Sequence, residues 1–139
     1  MVMTVFFDTN LFVYAVSHAP EDALKKSVAT RLIAAGDFCL SVQVIQEVVN
    51  TCLSKSRLGQ APEAIAATAR SLFTFRCAYP SKDQVLRALQ LQQRYGVKYW
   101  DAAILAAAIE LTCTRLYSED LSHGQNYDGV TVINPFIAG

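Results

Sequence analysis

The sequence predicts an α/β domain in three layers, a central and mainly parallel sheet flanked by helices. Strand-like and helix-like segments alternate along the chain, the pattern of parallel strands joined by covering helices. The opening stretch MVMTVFF is almost continuously apolar, as expected of a strand covered on both faces. The stretch WDAAILAAAIEL is apolar on all sides, which places its helix in the core.

The elements follow in order. Residues 1–7 are the first strand, and Asp8-Thr9-Asn10 interrupts the apolar pattern before a second apolar run, residues 11–16. Pro20-Glu21-Asp22 opens a helix, because proline suits the first turn and acids suit its positive end. Gly36 stops that helix near residue 35, and residues 38–40 form a short strand. Ser41 is the expected N-cap of a helix over residues 42–54. Pro62 opens another helix. Residues 72–78, rich in aromatic side chains, read as a strand. Ser81-Lys82-Asp83-Gln84 fits a capping box for a helix ending near Gly96. Residues 100–112 form the most apolar helix, and residues 116–117 and 130–133 are late strands. No repeat, linker or low-complexity segment divides the chain, so residues 1–139 are expected to form one domain.

Composition narrows the function. A chain of 139 residues can bury roughly 68% of its unfolded surface. With 53% hydrophobic and 17% charged residues, it is neither disordered nor fibrous. Twelve basic and twelve acidic residues cancel, so no global positive field draws it to nucleic acid; such a role needs a local patch or a bound cation. Cys39, Cys52, Cys77 and Cys113 lie in apolar segments without a C-x-x-C pair. They read as buried thiols of a reducing compartment, and a cytoplasmic location is expected. The first residues lack the features of a signal peptide, and no apolar stretch reaches the length of a membrane span.

The acids carry the chemistry. Singly, each has an ordinary explanation. Asp8 can cap a helix, Glu47 can belong to a solvated helix face with Gln43, Gln46 and Asn50, and Asp101 can cap the apolar helix. Glu119 and Asp120 can be loop residues, and Asp128-Gly129 a turn. Yet Asp8, Asp101 and the Glu119/Asp120 pair fall at strand ends or helix starts, and Glu47 lies on the helix after the second strand. Ligands of parallel sheets gather at such strand ends. Converging carboxylates repel and call for a cation. An all-oxygen donor set suits Mg²⁺ or Mn²⁺ rather than zinc. His18 and His123 have no metal-ligand spacing and stay unassigned.

Four blocks, FFDTNLFVYA, LSVQVIQEVVN, YGVKYWDAAILAAA and LYSEDLSHGQNYDGVTVINPF, resemble the PIN domain, and more closely the VapC-type toxin ribonucleases of bacterial and archaeal toxin–antitoxin pairs. Between residues 54 and 95 only the helical pattern is similar. The resemblance maps the family's acids to Asp8, Glu47, Asp101 and Asp120, and its small hydroxyl residue to Ser118. Asn10 matches a common D-x-N opening, and Glu119 neighbours the fourth acid. It implies a parallel sheet between helices, a divalent-metal site and hydrolysis of RNA phosphodiesters. It also implies homodimerisation and a cognate antitoxin.

On that resemblance, Asp8, Asp101 and Asp120 would hold Mg²⁺, with Glu47 as a ligand or a water-mediated contact. Ser118 would bond a ligand carboxylate or the attacking water. Lys25, Lys26, Lys55, Arg57 and Lys98 are candidates for the RNA backbone, against the simpler reading of solvated surface. The region of Phe12, Tyr14 and Val16 and the neighbouring helices are expected to offer an apolar surface to a second copy or an antitoxin, unless these residues are core. Two alternatives stand: a Mg²⁺-binding phosphoacceptor signalling domain, and a PIN-fold binding module without turnover. The first lacks paired acids before the acceptor strand and a late lysine.

Overall fold

The computed structural model describes residues 4–55 and 58–137. Six strands run β1 (Val5–Phe7), β2 (Cys39–Ser41), β3 (Arg76–Ala78), β4 (Arg115–Tyr117), β5 (Asn126–Tyr127) and β6 (Val130–Ile133). Six α-helices run α1 (Thr9–Val16), α2 (Ala23–Ala34), α3 (Val42–Ser54), α4 (Pro62–Leu72), α5 (Lys82–Tyr95) and α6 (Tyr99–Glu110). The strands form one sheet in the order β3-β2-β1-β4-β6-β5. All neighbours are parallel except the β5–β6 hairpin. Helices make the crossovers that parallel strands require. The three-layer α/β expectation holds.

The first strand lies in the middle of the sheet. Phe6 pairs with Cys39 on one side, and Phe7 with Tyr117 on the other. Both phenylalanines are buried. The described part of this strand is Val5–Phe7; residues 1–3, which the sequence also assigns to it, lie outside the described residues. α6 is the central helix. Residues Ala102 to Ala108 are all buried, it packs along α5, and it touches β2, β3, β4 and β6.

Local signals fixed most boundaries. Ser41 caps α3, its Oγ accepting from the Val44 N–H at 3.2 Å. Pro62 begins α4. Gly96 closes α5 at a φ of 67°, the left-handed conformation that a glycine adopts without strain. Pro20–Asp22 forms a 3-10 turn ahead of α2 rather than α-helix. Ser81 Oγ accepts from the Gln84 N–H at 3.1 Å, but the capping box is one-sided. The Gln84 amide does not return to Ser81; turned to satisfy both ends, it donates to the Tyr79 carbonyl at 3.0 Å.

The aromatic stretch at residues 72–78 departs from expectation. α4 continues to Leu72, and only Arg76–Ala78 is strand. Phe75 instead stacks on Phe38 at 4.2 Å, Phe38 on Phe7 at 4.6 Å, and Phe7 against Tyr117 at 5.5 Å. A column of rings thus crosses the sheet, and packing rather than pleating explains those aromatics. The loop-like stretch after Tyr117 contains the short β5, whose Tyr127 is buried against the Tyr95 ring. The apolar helix spans Tyr99–Glu110, not residues 100–112, and Thr112 follows at a φ of 58°. The cysteines are free; Cys39, Cys52 and Cys113 are buried, and burial pushes the Cys113 thiol up to about 12, with Cys39 beside it. No helix among the described residues is long and apolar enough to cross a membrane.

Candidate active site

The register of the central strands builds the site. β1 and β4 end side by side, so Asp8 emerges next to Ser118, and the Asp8 N–H donates to the Tyr117 carbonyl at 3.0 Å. Ser118 Oγ donates to Asp8 Oδ2 at 2.7 Å and accepts from the Asp120 N–H at 3.1 Å. One buried hydroxyl therefore aligns two acids that lie on different segments. Asp8 Oδ1 accepts from the Thr9 N–H at 2.7 Å, so Asp8 also caps α1. The cap uses Oδ1 and leaves Oδ2 to Ser118, so capping α1 and facing the end of β4 are compatible.

Glu47 and Asp101 reach the same place. A cleft of about 440 Å³ is lined by Asp8, Glu47, Asp101 and Asp120, with Thr9 and Asn10 between them. Thr9 Oγ1 donates to Glu47 Oε1 at 2.6 Å, and Asn10 Nδ2 donates to Asp120 Oδ2 at 3.2 Å. α3 turns Val44, Ile45, Val48 and Cys52 into the core and leaves Glu47, Asn50 and Thr51 on the cleft. Asp101 is the third residue of α6; Lys98 occupies the cap position without a side-chain cap bond, so the capping explanation of Asp101 does not hold.

The electrostatics follow from this crowding. Burial pushes the Asp8 carboxyl up to about 7; the Ser118 hydroxyl and Thr9 N–H pull it down, while Asp120 and Glu47 push it further up. Asp101 is also raised, by burial first and then by Asp120, with Lys98 opposing and Glu47 adding.

A PIN-domain family model matches residues 5–126. The chain belongs to the PIN-domain family. Solved structures agree with that assignment at the level of fold. A toxin–antitoxin complex from Klebsiella pneumoniae is 23% identical with a TM-score of 0.70, covering 96% of this chain and 98% of that one. The Mycobacterium tuberculosis toxin VapC20, described as cleaving the sarcin-ricin loop, is 21% identical with a TM-score of 0.66, covering 84% and 89%. FitAcB from Neisseria gonorrhoeae is 18% identical with a TM-score of 0.67, covering 98% and 100%. No curated protein sequence matches the chain.

In this PIN domain, no three His, Cys, Asp or Glu side chains among the described residues already form a metal cage. The donors nevertheless fit Mg²⁺ or Mn²⁺. Mg²⁺ is commonly held by one or two carboxylates and keeps several waters. Asn10 Oδ1 is a buried acceptor without a partner, and each bonded oxygen of Asp8 retains acceptor capacity. The hard oxygen set and the mutual repulsion of the acids both favour a hard divalent cation.

Glu119 has another occupation. It accepts from the Tyr14 hydroxyl, and Lys25 Nζ pairs with it at 2.9 Å. Although it lines the cleft, its charge is already compensated there. Lys26 donates to the Ser17 carbonyl at 2.7 Å. Of the proposed cations, Lys55 lines the cleft and Lys98 its shoulder beside Asp101 and Asp120, while Arg57 lies outside the described residues. Asp128 turns away to Arg94 and Tyr95 and lines another surface. Phe12 is core, and Tyr14 is tied to Glu119 and Lys25. Of the expected apolar surface, partly exposed Val16 lines a groove with Ala15, with Ile33 of α2 and with Ala67 and Leu72 of α4. Sequence reading missed Thr9, whose bond to Glu47 spans 38 positions, and gave Asn50 and Thr51 no place on the cleft. The polar α3 face was the available signal for the latter pair.

Proposed function

We propose that this PIN domain is a divalent-metal-dependent endoribonuclease and the toxin of a type II toxin–antitoxin pair. The observation that carries the proposal is the cleft at the end of β1, where buried Asp8 meets Glu47, Asp101 and Asp120 from three other segments. Asp8, Asp101 and Asp120 would hold the cation, with Glu47 acting directly or through water. Bound there, Mg²⁺ or Mn²⁺ would lower the pKa of water and offset charge on the phosphoryl oxygens. The chain supplies the alignment. Ser118 fixes Asp8 and the backbone of Asp120, Thr9 fixes Glu47, and Asn10 fixes Asp120. An RNA substrate and an antitoxin partner are supported by the similarity to the Klebsiella toxin–antitoxin complex and to the Mycobacterium toxin that cleaves the sarcin-ricin loop. A homodimer is proposed on the family resemblance.

The test is cleavage of a mixed RNA pool by purified protein. Mg²⁺ or Mn²⁺ should restore cleavage after chelation, and Asp8→Asn or Asp101→Asn should lower it by about two orders of magnitude or more while the fold persists. Full cleavage in excess chelator, or near-wild-type cleavage by Asp8→Asn, rejects the proposal. Stable phosphorylation of an aspartate by a small phosphodonor would favour the phosphoacceptor alternative.

A further inference from the structure

Trp100 stands between the acidic cleft and a second cavity. It lines the cleft beside Asp101, and it also lines a cavity of about 310 Å³ with Ser41, Gln46, Ala78, Pro80 and Val85. The side chain is 65% exposed, an unusual position for so large an apolar surface. Its ring is braced by its neighbour on α6, and its backbone is tied to α3. The Tyr99 ring meets it nearly edge-on at 5.1 Å, and Gln43 Nε2 donates to its carbonyl oxygen at 3.2 Å. Apolar walls with Gln43, Gln46 and Gln84 among the lining suit a flat ligand with apolar faces and polar edges.

We propose, resting on the ribonuclease function above, that Trp100 and this cavity form a stacking subsite for one unpaired nucleobase of the strand whose phosphate occupies the acidic cleft. Continuity carries the choice of occupant. Trp100 and Asp101 are consecutive and line the same cleft, so a strand held at the acids passes the indole face. Stacking on an aromatic ring contributes affinity without charge, which matters in a chain of zero net charge. A base within a duplex is not free to stack there, so the subsite selects single-stranded segments.

Trp100 is the only tryptophan in the sequence, so its fluorescence reports this subsite alone. Wild-type protein in Mg²⁺ is mixed with a cleavable single-stranded RNA hexamer, intact or with one base removed at a time, while emission and cleavage are followed. Intact RNA should quench emission before it is cut, and removal of one base beside the cut should abolish the quench. Trp100→Ala should lower kcat/KM by about 5- to 150-fold, the range of base–aromatic stacking, and Trp100→Phe by less. The same missing base should cost wild type that factor and cost Trp100→Ala nothing further. Cleavage without quenching overturns the subsite alone, as does an unchanged kcat/KM in Trp100→Ala. Emission that changes with protein concentration in the absence of RNA, or only on adding a partner polypeptide, also overturns it and assigns the patch to a protein interface. Neither cleavage nor quenching with any single-stranded RNA in Mg²⁺ or Mn²⁺ removes the ribonuclease proposal itself.

Discussion

Without metal, burial holds the Asp8 carboxyl near 7, against an ordinary value of 3.8. The folded chain then binds this proton more tightly than the unfolded chain, so the stabilisation is complete below about pH 4 and is lost as pH rises towards 7. For this residue alone the loss is at most about 4 kcal/mol. Urea melts in chelator between pH 4.5 and 7.5 should show declining stability, and Asp8→Asn should flatten the decline. An unchanged pH slope in that variant would place the titrating group elsewhere. Asp8 stands out because a lone carboxylate ends an apolar strand, but singly it reads as a helix cap. Only the other acids and the four-block resemblance make it a site candidate. Its partners are less legible. The Ser118 and Asn10 bonds each join positions 110 apart, and only the register of β1 with β4 brings them together.

The start of α6 sets two effects on Asp101 against each other. The helix dipole favours a carboxylate in the first turn by about 0.3–1 kcal/mol. Burial, Asp120 and Glu47 disfavour it, and the net shift of its pKa is upward. Relief of that penalty should prevail, so Asp101→Asn should raise the melting temperature in chelator at pH 7.5. Because the side chain is partly exposed, solvent screening keeps the gain below about 1 kcal/mol, or a few degrees. The variant should also shrink the upward shift produced by Mg²⁺, which acts by binding the folded state. Scanning calorimetry with and without metal checks both. A lower melting temperature and an undiminished Mg²⁺ shift would mean that Asp101 serves the helix and not the cation. At this scale, sequence patterns located helices where a single residue sets the boundary, as at Ser41, Pro62 and Gly96. They failed at residues 72–78, because strand propensity cannot distinguish an aromatic in a pleat from Phe75 stacked on Phe38. Two-residue β5 is too short to carry a period.

Across the whole molecule, charge is balanced and local. Lys25 is paired with Glu119 and Lys26 with a backbone carbonyl, leaving Lys55 and Lys98 beside the cleft among the described residues. Two phosphate contacts by lysine give a slope of about −1.4 for log affinity against log salt on single-stranded RNA. Binding titrations between 50 and 200 mM salt at fixed Mg²⁺ should therefore be shallow, and a slope steeper than about −3 would reveal a larger cationic surface. Zero net charge gives composition no sign of nucleic-acid binding; the RNA substrate proposed above comes from the four-block resemblance. The central position of β1 has a further consequence, for synthesis. β1 is made well before β4, its neighbour in the sheet, and Asp8 waits for Ser118 to align it. A nascent or prematurely ended chain that stops between residues 101 and 118 contains Asp8, Glu47 and Asp101 but neither the Ser118 hydroxyl nor Asp120. The assembled pocket therefore requires synthesis through Asp120, and products ended earlier lack it.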